Sequence, residues 1–381
     1  MKRLGLLINP TAGLGGSVGL KGSDQVIQDA LQRGAKPTAQ NRVKATLERL
    51  LPMSSQLLIL TYPGEMGGRL AAELGFPVQL CQAPEGRQFS SLTESCAADT
   101  IALAKTLKQK AVDLLLFAGG DGTARDLYTA VGSSFPVLGI PTGVKMHSPV
   151  FAVNPVAAGT LACQWLSDKL HRTEEREVLD LDESLYRLGK LGTRLFGYLS
   201  VPVNRPLLQC RKAPTPPSDI QAAYGIASQL IQTLQPDVDY LVGAGTTLRA
   251  LMEQLHLKNT LIGVDLIRCE PDGSVRLLAN DLYGSALCSA IRPGKTQLLV
   301  SVTGGQGYLF GRGNQQLTPE ILRRIGKAHI LIAATPGKLA ALQGRPLLLD
   351  LDDSALASSL CGFYKVITGY GEYTMCRVCT V

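Results

Sequence analysis

The sequence predicts two α/β domains, the first built on a parallel sheet, and three observations carry that prediction. A chain of 381 residues is long for one hydrophobic core and natural for two. Short apolar runs alternate with stretches whose apolar residues recur every three or four positions, the rhythm of a sheet covered by helices. Hydrophobic residues make up 45% of the chain and charged ones 18%, ample material for the cores of a soluble protein.

In order along the chain, the apolar runs at 3–8, 56–61, 76–80, 112–118 and 136–140 read as short buried strands. Residues 38–51, 65–74 and 92–107 have helical spacing between them. Residues 177–187 and 193–203 alternate like strands about a glycine-rich turn at 189–192, which predicts a hairpin. Proline then clusters at 211–218, the linker candidate. The boundaries that result are a first domain at 1–165, a bridging hairpin and linker at 166–218, and a second domain at 219–381. Ser218 followed by Gln221 is a capping box for a helix with Ile220, Ala223, Ala227, Leu230 and Leu234 on its apolar face. Beyond it, strands are expected at 240–242, 260–265, 297–302 and 330–334. Helices are expected at 247–256, at 319–325 behind Thr318, and around 338–342.

The formal charge of +7, without any Lys/Arg block, suits anionic small substrates and gives no footing for a nucleic-acid partner. No stretch approaches the roughly 20 apolar residues of a membrane span. A strand-like run at 4–8 leaves no room for a signal peptide, so a cytoplasmic location is expected. Nine cysteines, an odd number in mostly apolar surroundings, fit reduced thiols better than a disulfide framework. Cys376 and Cys379 form one CxxC with no second pair and no nearby histidine, and read as tail thiols rather than a zinc or redox site. A homo-oligomer remains open.

Gly119-Gly120-Asp121-Gly122-Thr123 directly follows the apolar run 112–118. Glycines let a backbone turn sharply and approach a ligand, and a helix opening at Thr123 or Ala124 would offer free N–H groups to phosphate. A carboxylate beside bound polyphosphate repels it, so Asp121 points to handling a proton or a metal in phosphoryl transfer. Asn9, at the start of the glycine-rich stretch 9–16, either meets a nucleotide phosphate or holds that turn in place. After the strand at 136–140 comes a polar loop, in which Lys145 is a candidate phosphate clamp and His147 and Ser148 candidates to touch substrate hydroxyls. The bland reading of His147 is a solvated or structural loop residue. Asn154 is most simply a helix cap.

In the second half, Gly243, Gly245, Thr246 and Thr247 form a strand–turn–helix junction suited to phosphate or carboxylate. Residues 303–314 pack five glycines, Gly305 among them, with Arg312 and Asn314 as anion and ribose contacts; a structural loop is nearly as good a reading. No GxxxxGK[ST], HExxH or convincing GxGxxG occurs, which leaves a Walker-type ATPase and a zinc hydrolase poorly supported.

Asn9-Pro10, the GGDGT turn and the loop at 139–148 together resemble the NAD kinase superfamily, which includes the diacylglycerol and sphingosine kinases. More closely the chain looks like a divergent ATP-NAD kinase-like branch associated with acetoin catabolism, through the stretches 9–22, 118–127, 139–159, 304–314 and 366–371. The resemblance covers nearly the full chain. It implies an N-terminal nucleotide-binding domain of NAD kinase type and transfer of a phosphoryl group from ATP, or polyphosphate, to a hydroxyl of NAD or a related metabolite, with Mg2+. It makes Asp121 the base or the group that orients the acceptor, and Gly119, Gly120, Gly122 and Thr123 the phosphate cradle. The sequence departs from ordinary NAD kinases in two places. Its only Asn-Asp pair that could match their ribose-gripping pair is Asn280-Asp281, far downstream, and its second half alternates strand and helix, with a faint likeness to sugar-phosphate isomerase modules around 243–247. Two other readings stand beside the kinase: a nucleotide-sensing regulator without chemistry, and sugar-phosphate chemistry in the second domain.

Overall fold

A computed structural model of the protein describes residues 1–20, 27–143, 146–181, 193–209, 217–260 and 263–380. The chain divides into two compact units. The first comprises Met1–Leu14, Gly22–Leu31 and Lys36–Arg211, and the second Gly15–Lys21, Gln32–Ala35 and Lys212–Val381.

In the first unit, β1 (Lys2–Ile8), β2 (Leu57–Thr61), β3 (Val78–Leu80), β4 (Leu114–Gly119) and β5 (Val137–Pro141) form one parallel sheet in the order β3-β2-β1-β4-β5. All five expected strands are present. Every residue of β4 and β5 is buried, as expected of strands without a polar residue in a sheet covered on both faces. The chain starts in the middle of the sheet, builds outward to β3, then crosses back to lay β4 against the other side of β1. The ends of β1 and β4 are therefore the topological switch point, where connections leave in opposite directions and open a crevice.

Helices α2 (Ala39–Glu48), α3 (Gly68–Glu73), α4 (Ala97–Gln109), α5 (Asp121–Val131) and α6 (Pro155–Leu166) belong to the same unit, after a short α1 (Ile27–Gln32). The hairpin is observed as β6 (Thr173–Leu181) paired antiparallel with β7 (Thr193–Pro202). Its first strand starts earlier than alternation indicated, at Thr173. The turn at 189–192 and nearly all of the proline-rich stretch lie outside the described residues.

In the second unit, the central strands β8 (Val238–Val242), β11 (Thr296–Ser301), β13 (Ile330–Ala333) and β15 (Gly362–Gly369) are parallel neighbours in that order. On one side β9 (Asp265–Cys269) and β10 (Val275–Ala279) continue antiparallel; on the other, β16 (Glu372–Thr380), β14 (Leu347–Leu349) and β12 (Tyr308–Phe310) complete nine strands. The helices are α7 (Pro217–Thr233), α8 (Thr246–Gln254), α9 (Gly284–Ser289), α10 (Pro319–Ile325), α11 (Pro336–Ala340) and α12 (Ser354–Leu360).

Three expectations need correction here: the start of one strand, the cap of one helix and the burial of Ile220. Of the strand expected at 260–265, only Asp265 is in a strand among the described residues; its carboxylate accepts from the Thr260 backbone N–H and from Asn259. Helix α7 already includes Pro217, so Ser218 lies inside it and does not cap it. Its buried face is Ala223, Ile226, Ala227 and Leu230, while Ile220, about one turn nearer the helix start, is exposed. Cys376 and Cys379 lie three positions apart on β16, which sends their side chains to opposite faces about 10 Å apart and prevents them from sharing an ion or a disulfide. No helix among the described residues is long and apolar enough to cross a membrane.

Candidate functional site

The first unit's site is built where the loops after β1, β4 and β5 converge. Helix α5 starts at Asp121, two residues before the expected opening, with Gly120 as an extended N-cap that supplies no side chain. Asp121 is thus the first helical residue, where the macrodipole favours negative charge and the first-turn N–H groups lack intrahelical partners.

The glycines of this turn serve space rather than unusual dihedrals, since none of Gly119, Gly120 and Gly122 has positive φ. A Cβ on Gly143 would lie 2.7 Å from the Cα of Gly120, so the β4–α5 turn and the loop after β5 touch backbone to backbone. A Cβ on Gly13 would fall 2.1 Å from the Thr142 carbonyl oxygen, which brings the loop after β1 against the same segment. Thr142 ties the contact down: its hydroxyl donates to the Gly119 carbonyl at 3.0 Å, and the backbone N–H of Gly143 reaches the same oxygen at 3.0 Å.

Asp121 is 5% exposed and fully engaged with the loop after β5. Its Oδ2 accepts from the backbone N–H of His147 at 2.7 Å and lies 3.1 Å from that residue's ring Nδ1; its Oδ1 accepts from the backbone N–H of Ser148 at 3.0 Å. Ser148 is completely buried, its hydroxyl donating to the Leu179 carbonyl at 2.8 Å and accepting from the Leu179 N–H at 2.9 Å. The Met146 carbonyl accepts from Gln209 Nε2 at 3.1 Å. Strand β6 thereby fixes the loop that holds the carboxylate.

Asn9, the residue after β1, spends its side-chain amide on the turn. Its Nδ2 donates to Thr123 Oγ1 at 3.1 Å, and its Oδ1 accepts from the hydroxyl and the N–H of Thr11. Of the two readings open from sequence, holding the turn is the one these bonds express. Asn154 caps α6 as expected, accepting from the Ala157 N–H.

The structure therefore gathers Asn9, Gly119, Gly120, Asp121, Gly122, Thr123, His147 and Ser148 at one sheet edge. Lys145 lies outside the described residues. Leu179, Gln209 and Arg42 escaped the sequence reading. Arg42 is buried on α2 and donates from Nε to the Pro141 carbonyl at 2.6 Å, at the end of β5. An arginine on the apolar face of a helix was the one available signal for it.

The second unit's candidates are separate from these. Gly245 caps α8 with φ 122°, a conformation that favours glycine, and Thr246 and Thr247 open that helix. Thr247 Oγ1 accepts from Lys338 Nζ at 2.8 Å. Nearby in the fold, buried Asp219 accepts from the Thr335 hydroxyl at 2.6 Å and from the Gly337 N–H at 3.1 Å. Thr247, Thr335 and Lys338 stand just past the C-terminal ends of β8 and β13, and sequence reasoning singled out neither Asp219 nor Lys338. In the loop holding Gly305, Arg312 pairs with Asp350 at 2.5 Å, both buried, and its guanidinium stacks 4.7 Å over the Tyr308 ring. Asn314 Nδ2 donates to the Leu309 carbonyl at 2.8 Å. Asn280-Asp281 brackets Asp265, whose Oδ1 accepts from Asn280 Nδ2 and the Asp281 N–H, each at 3.0 Å. Among the described residues no group of three or more His, Cys, Asp or Glu is placed to hold a metal ion.

Two family models match the chain. The ATP-NAD kinase N-terminal domain covers residues 4–170, and the ATP-NAD kinase C-terminal domain covers residues 236–378. No curated protein and no solved structure matches it. The first match contains Asn9, the glycine turn, Asp121, His147 and Ser148 but not Leu179 or Gln209; the second contains the strands of the nine-stranded sheet up to residue 378 of β16.

Proposed function

This chain belongs to the ATP-NAD kinase family, and from that premise we propose that it transfers a phosphoryl group from ATP, or from polyphosphate, to a hydroxyl of NAD or a related small metabolite. The observation that carries the reading is the buried carboxylate of Asp121 at the first position of α5, in a glycine turn at the switch point of a parallel sheet. First-turn N–H groups and the macrodipole of α5 favour the donor's phosphates, and the bare backbone of Gly119, Gly120 and Gly122 lets them approach. Thr123, held by Asn9, and Lys145 complete the donor side. His147 forms the acceptor side, whereas Ser148, expected from sequence to touch substrate, is buried with its hydroxyl bonded to Leu179 and holds that loop in place. Asp121 is the carboxylate on which transfer depends, as base or as orienting group. Magnesium comes as part of the donor complex and spreads the charge on the transferring group.

Placement within the acetoin-catabolism branch rests on the order of the stretches 9–22, 118–127, 139–159, 304–314 and 366–371. A cytoplasmic setting suits the eight free cysteines among the described residues. Asp121→Asn tests the reading: with ATP, Mg2+ and NAD, and product followed by mass spectrometry, it should keep its fold and nucleotide affinity and lose turnover by ~10²-fold or more. Turnover equal to wild type refutes it. Wild-type protein that binds ATP and transfers nothing to NAD or to a metabolite panel is instead a nucleotide-sensing regulator.

One cluster favours a second reading, in which a sugar phosphate binds the second unit beside Thr247, Lys338 and Thr335. Thr246→Ala or Lys338→Met would then abolish activity with nucleotide binding intact.

A further inference from the structure

Three donors already face the Asp121 carboxylate, which offers about four acceptor positions. An ionised carboxylate only accepts hydrogen bonds, and its Oδ2 already lies within reach of two donors on His147, the backbone N–H at 2.7 Å and the ring Nδ1 at 3.1 Å. Its Oδ1 takes the Ser148 N–H at 3.0 Å. A carboxylate facing Nδ1 requires that nitrogen to carry the proton of a neutral ring, which leaves Nε2 with an unshared pair.

The ring is also well held. Its own backbone N–H is bound to the same carboxylate oxygen, and the next residue is locked to Leu179 in both directions at 2.8 and 2.9 Å. The His147 side chain is 11% exposed against 5% for Asp121, so the imidazole is the more accessible of the pair. A buried carboxylate that fixes the tautomer of a histidine whose far nitrogen makes no hydrogen bond among the described residues is the arrangement of an oriented histidine base.

We propose that Nε2 of His147 is the base for the acceptor hydroxyl, and that Asp121 is a positioning residue acting through His147. The inference rests on the phosphoryl-transfer reading and assigns its proton. As the acceptor oxygen bonds to the terminal phosphorus of ATP, the bond from that phosphorus to the bridging oxygen breaks, and ADP leaves with its electron pair. The hydroxyl proton passes to Nε2. The resulting imidazolium, stabilised by Asp121, then releases it to solvent.

Two measurements test this. The chain has four histidines, so nitrogen NMR of histidine-labelled protein can identify the His147 ring by its loss in His147→Gln. The neutral ring should be protonated at Nδ1 and bare at Nε2, and Asp121→Asn should abolish that preference. A ring protonated at Nε2 in wild type overturns the proposal. In transfer assays with ATP, Mg2+ and NAD or a panel of sugar, polyol and nucleoside acceptors, His147→Ala should lose ~10²–10⁴-fold in kcat with the KM for ATP unchanged, and added imidazole should restore part of it. Asp121→Asn should lose kcat without imidazole rescue. A His147→Ala enzyme as fast as wild type overturns the histidine assignment alone. A wild-type protein that transfers to no acceptor overturns the phosphoryl-transfer reading, and the assignment with it.

Discussion

Gly143→Ala is the sharpest test of how the site is assembled. The new methyl carbon would sit 2.7 Å from the Cα of Gly120, while carbon atoms pack at about 3.5–4.0 Å. The turn after β4 and the loop after β5 must therefore part by about 1 Å. That loop delivers the His147 and Ser148 N–H groups to Asp121 at 2.7 and 3.0 Å. Stretched by that amount, both bonds leave the range of about 2.7–3.2 Å in which N–H···O bonds are strong. Hydrogen bonds to a charged group contribute about 1.5–3 kcal/mol each, but the backbone shares the strain, so overpacking at about 1–3 kcal/mol sets the expected loss of stability. A displacement of that size costs about 100-fold in turnover where reacting groups must be aligned. The chain's single tryptophan, Trp165, lies on α6 and donates to the Asp113 carbonyl at 2.9 Å, so its fluorescence in a urea titration reports on the first unit. Gly120→Ala is the control, since its Cβ would stand 3.3 Å from Gly143 and needs a shift of only a few tenths of an ångström. If Gly143→Ala unfolds at the wild-type urea midpoint and turns over at the wild-type rate, the backbone contact does not organise the site.

Other outcomes follow from single residues. Asn154→Ala removes the cap of α6 and should cost about 1 kcal/mol, read by the same tryptophan signal. Asp239→Ala removes the buried partner that Arg268 and Arg292 each bond at 2.6 Å; both arginines are partly exposed and Arg292 keeps Asp237, so calorimetry should find the second unit destabilised by about 1.5–3 kcal/mol. The Asp237 carboxyl is held at about 2, below its ordinary 3.8, by hydrogen bonds from Lys295 and then Arg292. A carboxyl lowered on folding binds its proton more readily in the unfolded chain, so its contribution is complete above about pH 4 and fades as pH falls toward 2. Asp237→Asn should therefore flatten the melting temperature's dependence on pH within that window and leave its dependence above pH 5 unchanged.

How much was legible depended on the range of the interactions involved. Buried strands of a parallel sheet are continuous apolar runs, and β4 and β5 show themselves by containing no polar residue at all. The second unit was harder to read. Strands β12 and β14 have three residues each, too few for a periodic signal. The terminal hairpin carries Phe363, Tyr373 and Met375 on its solvent side, so its alternation does not separate core from surface.

By itself the sequence determined the strand–helix rhythm of the first unit and the place of its site, because apolar runs, glycines and one carboxylate act within a few residues of each other. Only the tertiary structure decided what Asp121 does with its charge. Its partners are 26 and 27 residues away, the serine that steadies them is bonded 31 residues further on, and the amide that holds Thr123 comes from 114 residues before it. Such bonds depend on the sheet order β3-β2-β1-β4-β5, which brings three strand ends to one edge, and that order is set by which apolar faces pack together rather than by any local stretch of chain.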